Sequence, residues 1–321
     1  MNLFLYPVFI LLALMVTPMA LANTDIENQA LKAELEQWLT HRQPAQFIGA
    51  QEQPLNYFQH ISATDSDTAL IYLHGIESHA GWFHLVGARL AGMGYDVIMP
   101  DRRGSGTNRQ DMGLNPGYAA SELQLIEDLQ HLVEQRTRDY KKRYLIGLSW
   151  GGKLALRYAM SYPDEIDGLI LITPGLVAKV DYSVWQKMQI GFCAWLCDKR
   201  LFPGLISPSM FTDDPAFVEY ISNDPLRNSR VSASFLWATR TIDNYIAAEI
   251  DSFSLPIQLH LAENDDIVDN QGVVELLNRS RSSIEQTDYK DQIHSLQFET
   301  PDQLSRLIAQ WLSQQGVENA N

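Results

Sequence analysis

From residue 69 onward, short apolar runs alternate with longer stretches in which apolar residues recur every three or four positions. The runs are Ala69–Leu73, Tyr95–Met99, Tyr144–Ile146, Gly168–Ile172 and Pro256–Ala262, with a shorter one at Ser283–Gln286. Short, continuously apolar segments bounded by turn residues are what strands buried on both faces require. Between them, residues 82–93, 118–138, 153–160, 272–281 and 301–314 carry helical spacing; in 118–138, Leu123, Ile126, Leu129, Leu132 and Val133 share one face. This alternation predicts right-handed βαβ units and a mostly parallel sheet flanked by helices. An amphipathic helix over Asp25–Thr40 and two opening strands, Ala45–Ala50 and Pro54–Ile61, are expected ahead of it.

The alternation breaks between Pro174 and about Ile250, where Trp, Phe, Met and Pro are frequent and helical spacing covers 182–197 and 231–248. The expected organisation is a core made of residues 23–174 and 251–321, with a helical cap inserted at 175–250. Cys193 and Cys197, the only cysteines, stand four apart in the cap. A disulfide within one helical turn is geometrically poor, so two free thiols packed among apolar neighbours are expected.

Residues 2–22 carry no charge, and the apolar run Leu3–Val16 leads to Ala20-Leu21-Ala22. This reads as a signal peptide over residues 1–22, with the mature chain starting at Asn23 in a secreted or periplasmic setting. The n-region offers only the α-amino group as positive charge, so an uncleaved N-terminal anchor is the alternative. After cleavage no stable membrane insertion is expected. A formal charge of −15 argues against nucleic acid as a partner and against electrostatic docking onto anionic lipid. No Cys/His cluster, Walker-type or dinucleotide-type glycine pattern occurs, so neither metal nor organic cofactor is expected.

The chemistry concentrates at Gly147-Leu148-Ser149-Trp150-Gly151-Gly152, between the run ending at Ile146 and the helix-like stretch from Lys153. Strand, Gly-flanked tight turn and helix in that order form a nucleophile elbow, which lifts the Ser149 hydroxyl above the sheet. The base and its orienting acid should follow in the order Ser, Asp, His. His294 fits the base, and Asp265 or the adjoining Asp266 fits the acid, since all lie just beyond expected strands. Asp269 reads as a helix cap and His260 as a core residue. Two backbone N–H groups could receive an oxyanion, from Trp150 after the nucleophile and from Ile76 in His74-Gly75-Ile76.

These segments resemble the α/β-hydrolase superfamily, and within it the monoacylglycerol lipase and lysophospholipase branch, sometimes grouped with serine aminopeptidases. The matching pieces are His74-Gly75-Ile76-Glu77-Ser78-His79, Asp101-Arg102-Arg103-Gly104-Ser105-Gly106, the Ser149 elbow, Asp265-Asp266-Ile267-Val268-Asp269 and Ile293-His294-Ser295-Leu296, in the family's order. The resemblance favours Asp265 as the triad acid. It implies an α/β-hydrolase fold, no cofactor, and hydrolysis of an acyl ester or single-chain lipid, either a monoacylglycerol or a lysophospholipid. Aminopeptidase, acyltransferase and non-catalytic binding roles are the alternatives. Cap residues such as Trp185, Phe211 and Trp237 are expected to cover Ser149 with apolar surface.

Overall fold

A computed structural model describes residues 26–109 and 112–318, so the signal-peptide reading lies outside the described residues. Helix α1 (26–41) is followed by β1 (Ala45–Ile48), β2 (Pro54–His60), β3 (Thr68–Leu73), α2 (His84–Gly92), β4 (Asp96–Pro100), α3 (Glu122–Arg136), β5 (Lys142–Leu148), α4 (Trp150–Ser161) and β6 (Gly168–Ile172). The chain then leaves the sheet through α5 (Val184–Leu196), β7 (Leu201–Pro203), α6 (Pro208–Phe211), α7 (Pro215–Asn223), β8 (Arg230–Ser232) and α8 (Ala233–Glu249). It returns with β9 (Ile257–Ala262), α9 (Asn270–Leu277), β10 (Ile284–Tyr289), α10 (Leu296–Glu299) and α11 (Pro301–Glu318).

Among the described residues the main sheet has eight strands in the order β1-β2-β4-β3-β5-β6-β9-β10. The pairs β1–β2 and β2–β4 are antiparallel and the others parallel. Alternation along β5 explains its unbroken apolarity. Tyr144, Ile146 and Leu148 pack with Val86 and Leu90 of α2 and with Ile308 and Trp311 of α11. Leu145 packs on the opposite face with Leu125 and Leu129 of α3 and Leu156 of α4. Helices cover both faces, as a parallel sheet requires.

The excursion between β6 and β9 is a helical layer with a two-stranded ribbon, β7 against β8. In this layer α5 rests on α8, which in turn lies on α4 and α3. Side-chain caps fix where its helices begin: Ser183 with Gln186 on α5, Asp214 on α7 and Ser232 on α8. Buried polar contacts tie this layer to the core. Arg227 reaches Glu77 at 2.6 and 2.9 Å, while Asp224 accepts from Trp82 Nε1 at 2.7 Å and meets His79 Nε2 at 2.9 Å. Among the described residues no helix is long and apolar enough to cross a membrane.

The cysteines correct the expectation of free thiols: Cys193 and Cys197 form a disulfide. Cys197 is the residue just past α5, at φ −146° and ψ 52°, so its side chain has left the helical register. The Cα atoms stand 4.4 Å apart, a separation that disulfides span. Thiol titration of denatured, unreduced protein is therefore expected to find none, and one or two free thiols would contradict the pairing.

A second joint between layer and core is titratable. Thr212 donates to the half-buried Glu299 carboxylate, with Asp213 and Asp214 beside it. Burial raises the Glu299 pKa to about 7, outweighing the Thr212 bond, and the two aspartates add to the rise. The folded state thus holds a proton that the unfolded chain releases from about pH 4.5. That contribution is complete below the unfolded value and is lost as pH rises through about 7, a difference of roughly 3 kcal/mol at 1.36 kcal/mol per pH unit. The melting temperature should fall between pH 5 and 8, and Glu299→Gln should flatten that fall; an unchanged slope in the variant would contradict the assignment.

Candidate active site

Ser149 joins β5 to α4 as the N-cap of α4, at φ 53° and ψ −122°. A positive φ is costly for a residue with a side chain, so the surroundings must hold it. The Ser149 N–H donates to Ile172 O at 3.0 Å, and its carbonyl accepts from Gly152 N–H at 2.9 Å and Gly175 N–H at 2.8 Å. The helix can turn this sharply only because glycine lines the turn. A Cβ on Gly151 would stand 1.9 Å from Leu73 O, and one on Gly147 would stand 2.6 Å from Gly152 Cα.

His294 lies between β10 and α10 and is fully buried. Its Nδ1 meets Asp265 Oδ2 at 2.8 Å, and Asp265 is also fully buried. Oδ1 of Asp265 accepts from Ile267 N–H at 2.8 Å and Val268 N–H at 2.9 Å. Burial alone would raise the Asp265 pKa, but His294 and these two amides draw it below the ordinary value. An ionised Asp265 can only accept, so the imidazole proton sits on Nδ1 and leaves a lone pair on Nε2. That Nε2 is buried and hydrogen-bonded to none of the described residues.

Ser149 and His294 are held by adjacent residues at the end of β6. Ile172 binds the Ser149 N–H, and Thr173 Oγ1 donates to His294 O at 3.0 Å. No hydrogen bond joins Ser149 Oγ to Nε2 in this structure; such contacts are often long before substrate binds. The neighbouring acid Asp266 is exposed. Asp269 caps α9, accepting from Gly272 N–H at 3.2 Å.

The loop after β3 presents its carbonyls to the protein. Gly75 O accepts from His74 Nδ1 at 2.8 Å and from Arg102 Nη1 at 3.3 Å. Ile76 O accepts from Arg102 Nη2 at 3.0 Å, and Glu77 O from Asn228 N–H at 2.8 Å. His74 Nε2 accepts the Arg102 N–H at 2.9 Å, so both ring nitrogens are engaged and burial holds this imidazole neutral. A trans peptide points its N–H opposite its C=O, so the Ile76 N–H is directed away from His74 and Arg102. Gly75 lies against Ser149, its would-be Cβ 3.4 Å from Ser149 Cβ. Trp150 opens α4, where backbone N–H groups have no partner within the helix.

Of the cap residues expected over Ser149, the structure keeps one near the site. The Phe211 ring is buried 5.9 Å from the His294 ring. Trp185 and Trp237 face solvent instead, 66% and 54% exposed. Only Ile190 and Cys193 of α5 are buried, so most of its apolar side chains point outward. Periodicity marks an apolar face without saying which way it turns. The sequence reading also gave no role to Arg102, Asp224 or Arg227. The available signal was a charged side chain directly after a buried strand or inside an apolar segment.

Residues 64–301 match the family described as serine aminopeptidase, S33. Human monoglyceride lipase is 23% identical over 260 residues, which cover 78% of this chain and 84% of that protein. An uncharacterized abhydrolase domain-containing protein of Dictyostelium discoideum is 23% identical over 253 residues, or 77% of this chain, which spans only 26% of that longer protein. A soluble variant of Saccharomyces cerevisiae monoglyceride lipase, solved with a substrate analog, matches with a TM-score of 0.74 at 18% identity, covering 86% of this chain and 94% of that one.

The geometry separates the adjacent acids. Asp265→Asn should remove the far-downfield Nδ1 proton resonance of His294 and lower turnover of an activated ester by about 10⁴. Asp266→Asn should leave the resonance intact and turnover within about twofold. The reverse order would move the acid to Asp266.

Proposed function

The chain belongs to the serine aminopeptidase S33 family of hydrolases, and from that premise we propose that it cleaves carboxylic esters through an acyl-enzyme on Ser149, with monoacylglycerols or lysophospholipids as the substrate class. The observation that carries this reading is the buried Asp265–His294 pair, whose Nε2 keeps a free lone pair on the same sheet edge as the strained Ser149 turn. His294 would take the Ser149 proton as Oγ attacks the ester carbonyl, while Asp265 stabilises the imidazolium. The N–H groups of Ile76 and Trp150 would receive the oxyanion, aided by the N-terminus of α4. His294 would then return the proton to the leaving alcohol. Water, activated by the same Nε2, would release the acid and restore Ser149.

Two observations support a lipid rather than a peptide substrate. Glu77, the carboxylate beside the Ile76 loop, is committed to Arg227 and so is a poor receptor for a substrate α-ammonium group. The second is an apolar face on α5, within the proposed cap at 175–250. Val184, Trp185, Met188, Phe192, Trp195 and Leu196 are all exposed and fall within about 120° of arc at 100° per residue. Trp195, between the two bridged cysteines, is 82% exposed. Lys187, Lys199 and Arg200 are exposed around this face against Asp198 and against Asp181, which pairs with Lys187, leaving an excess of one positive charge in a chain of net charge −15. Tryptophans above a basic rim suit the boundary of a lipid surface, where the enzyme would meet single-chain lipids. Secretion after cleavage at Ala22 belongs to the same proposal.

Soluble p-nitrophenyl esters of increasing chain length test the substrate class. Each methylene that enters an apolar site contributes about 0.8 kcal/mol, so kcat/KM should rise roughly three- to fourfold per carbon up to at least octanoyl. Phe192→Ser with Trp195→Ser should lower activity on vesicle-borne monoacylglycerol and leave acetyl ester hydrolysis unchanged. A flat chain-length profile, or best activity on aminoacyl amides, would return the peptidase reading.

A further inference from the structure

Arg102 is a buried cation whose guanidinium meets no carboxylate among the described residues. The adjacent acid in the chain, Asp101, is occupied by Ala80 N–H at 2.8 Å and by the N–H and Oγ1 of Thr107 at 2.7 Å each. Nη1 and Nη2 are spent instead on two consecutive carbonyls, Gly75 and Ile76, and Nη2 also reaches Ser105 Oγ at 2.9 Å. The flat guanidinium lies 4.6 Å from the Trp150 ring and 4.7 Å from the Phe235 ring of α8, and these rings are 4.8 Å apart. One side chain therefore touches the Ile76 loop, the residue after the nucleophile and the helical layer above them.

We propose that Arg102 is a positioning residue that locks the Gly75–Ile76 peptide in the orientation presenting the Ile76 N–H to the Ser149 site. The inference rests on the acyl-transfer reading given above. Glycine at 75 leaves that peptide free to rotate at low steric cost. Rotated by half a turn, it would aim the Gly75 carbonyl at the developing oxyanion and turn a stabilising dipole into an opposing one. Both bonds that prevent this trace to Arg102. Its side chain holds Gly75 O directly; its backbone N–H, which a substituted residue would keep, occupies His74 Nε2 and makes His74 Nδ1 the second donor to the same oxygen. Lysine could not replace it, because two carbonyls and a hydroxyl must be met at once by a group that also packs against two aromatic rings, which needs the planar, forked guanidinium.

Arg102→Met keeps the length and removes the donors; Arg102→Lys keeps the charge. With p-nitrophenyl acetate, Arg102→Met should lower kcat about 10²-fold with KM within about twofold, as expected for loss of one oxyanion donor. Affinity for an alkylboronic acid, whose tetrahedral adduct on Ser149 places an oxygen in the same position, should fall in parallel. Arg102→Lys should recover less than a tenth of the wild-type rate. A folded Arg102→Met protein with kcat within about threefold of wild type, or with unchanged boronate affinity, overturns the proposal. Should that variant fail to fold, Ser105→Ala removes one of the two acceptors of Nη2, leaving it on Ile76 O alone, without unburying the cation. It should lower kcat alone by about fivefold, and an unchanged kcat there overturns the proposal equally. A wild-type protein that neither hydrolyses the ester nor binds the boronate refutes the acyl-transfer reading itself, which distinguishes the two failures.

Discussion

Among the described glycines the tightest approach is between the first turn of α4 and the end of β3, where the space at Gly151 admits a hydrogen and nothing larger before Leu73 O. That approach is what bends the chain at Ser149 into a conformation it would not adopt alone. The strain is held by hydrogen bonds from β6 and from Gly175, so the turn depends on three neighbouring segments being in register. The parallel pairing of β3, β5 and β6 supplies that register, and the helices on both faces bury the strands that carry it. Every group in the proposed mechanism then extends from the carboxyl end of one of these strands or of β9 and β10.

Two orders of support surround the site. Asp265 is fixed by backbone amides of its own loop, which leaves its second oxygen for His294. The Ile76 loop relies less on its own residues: His74 holds one of its carbonyls locally, while Arg102 and Asn228 hold its carbonyls from outside. Asn228, Arg227 and Asp224 come from the segment between β6 and β9, so the helical layer helps build the site as well as cover it. The disulfide at the far end of α5 stiffens the part of that layer carrying the most exposed tryptophan.

Much of this was legible in the sequence where burial is two-sided. The strand Gly168–Ile172 matches its expected bounds because every residue in it is buried. The helix expected at 118–138 starts later, since Ser121 caps it and accepts from Gln124 N–H. The stretch expected to be helical from Trp82 begins as a 3₁₀ turn that His79 caps. What could not be read has a common cause. The ribbon β7–β8 and the short helices α6 and α10 are three or four residues long, too short for a period, and tertiary contacts hold them. The outward turn of Trp185 on α5 and Trp237 on α8 depends on which faces those helices pack, and the pairing of Cys193 with Cys197 on where α5 ends. The turn at Ser149 and the meeting of Asp265 with His294 were legible because a strained turn and a chain order leave a pattern in the sequence itself.

The central claim is that the Ser149 turn, served by the Asp265–His294 pair, makes this serine a nucleophile. The most direct measurement is reaction of the intact protein with a fluorophosphonate, followed by peptide mapping of the adduct. The account predicts one adduct per chain, on Ser149, lost in Ser149→Ala and slowed by at least about 10³-fold in His294→Ala. An adduct on another residue, or none while the fold is intact, would contradict it.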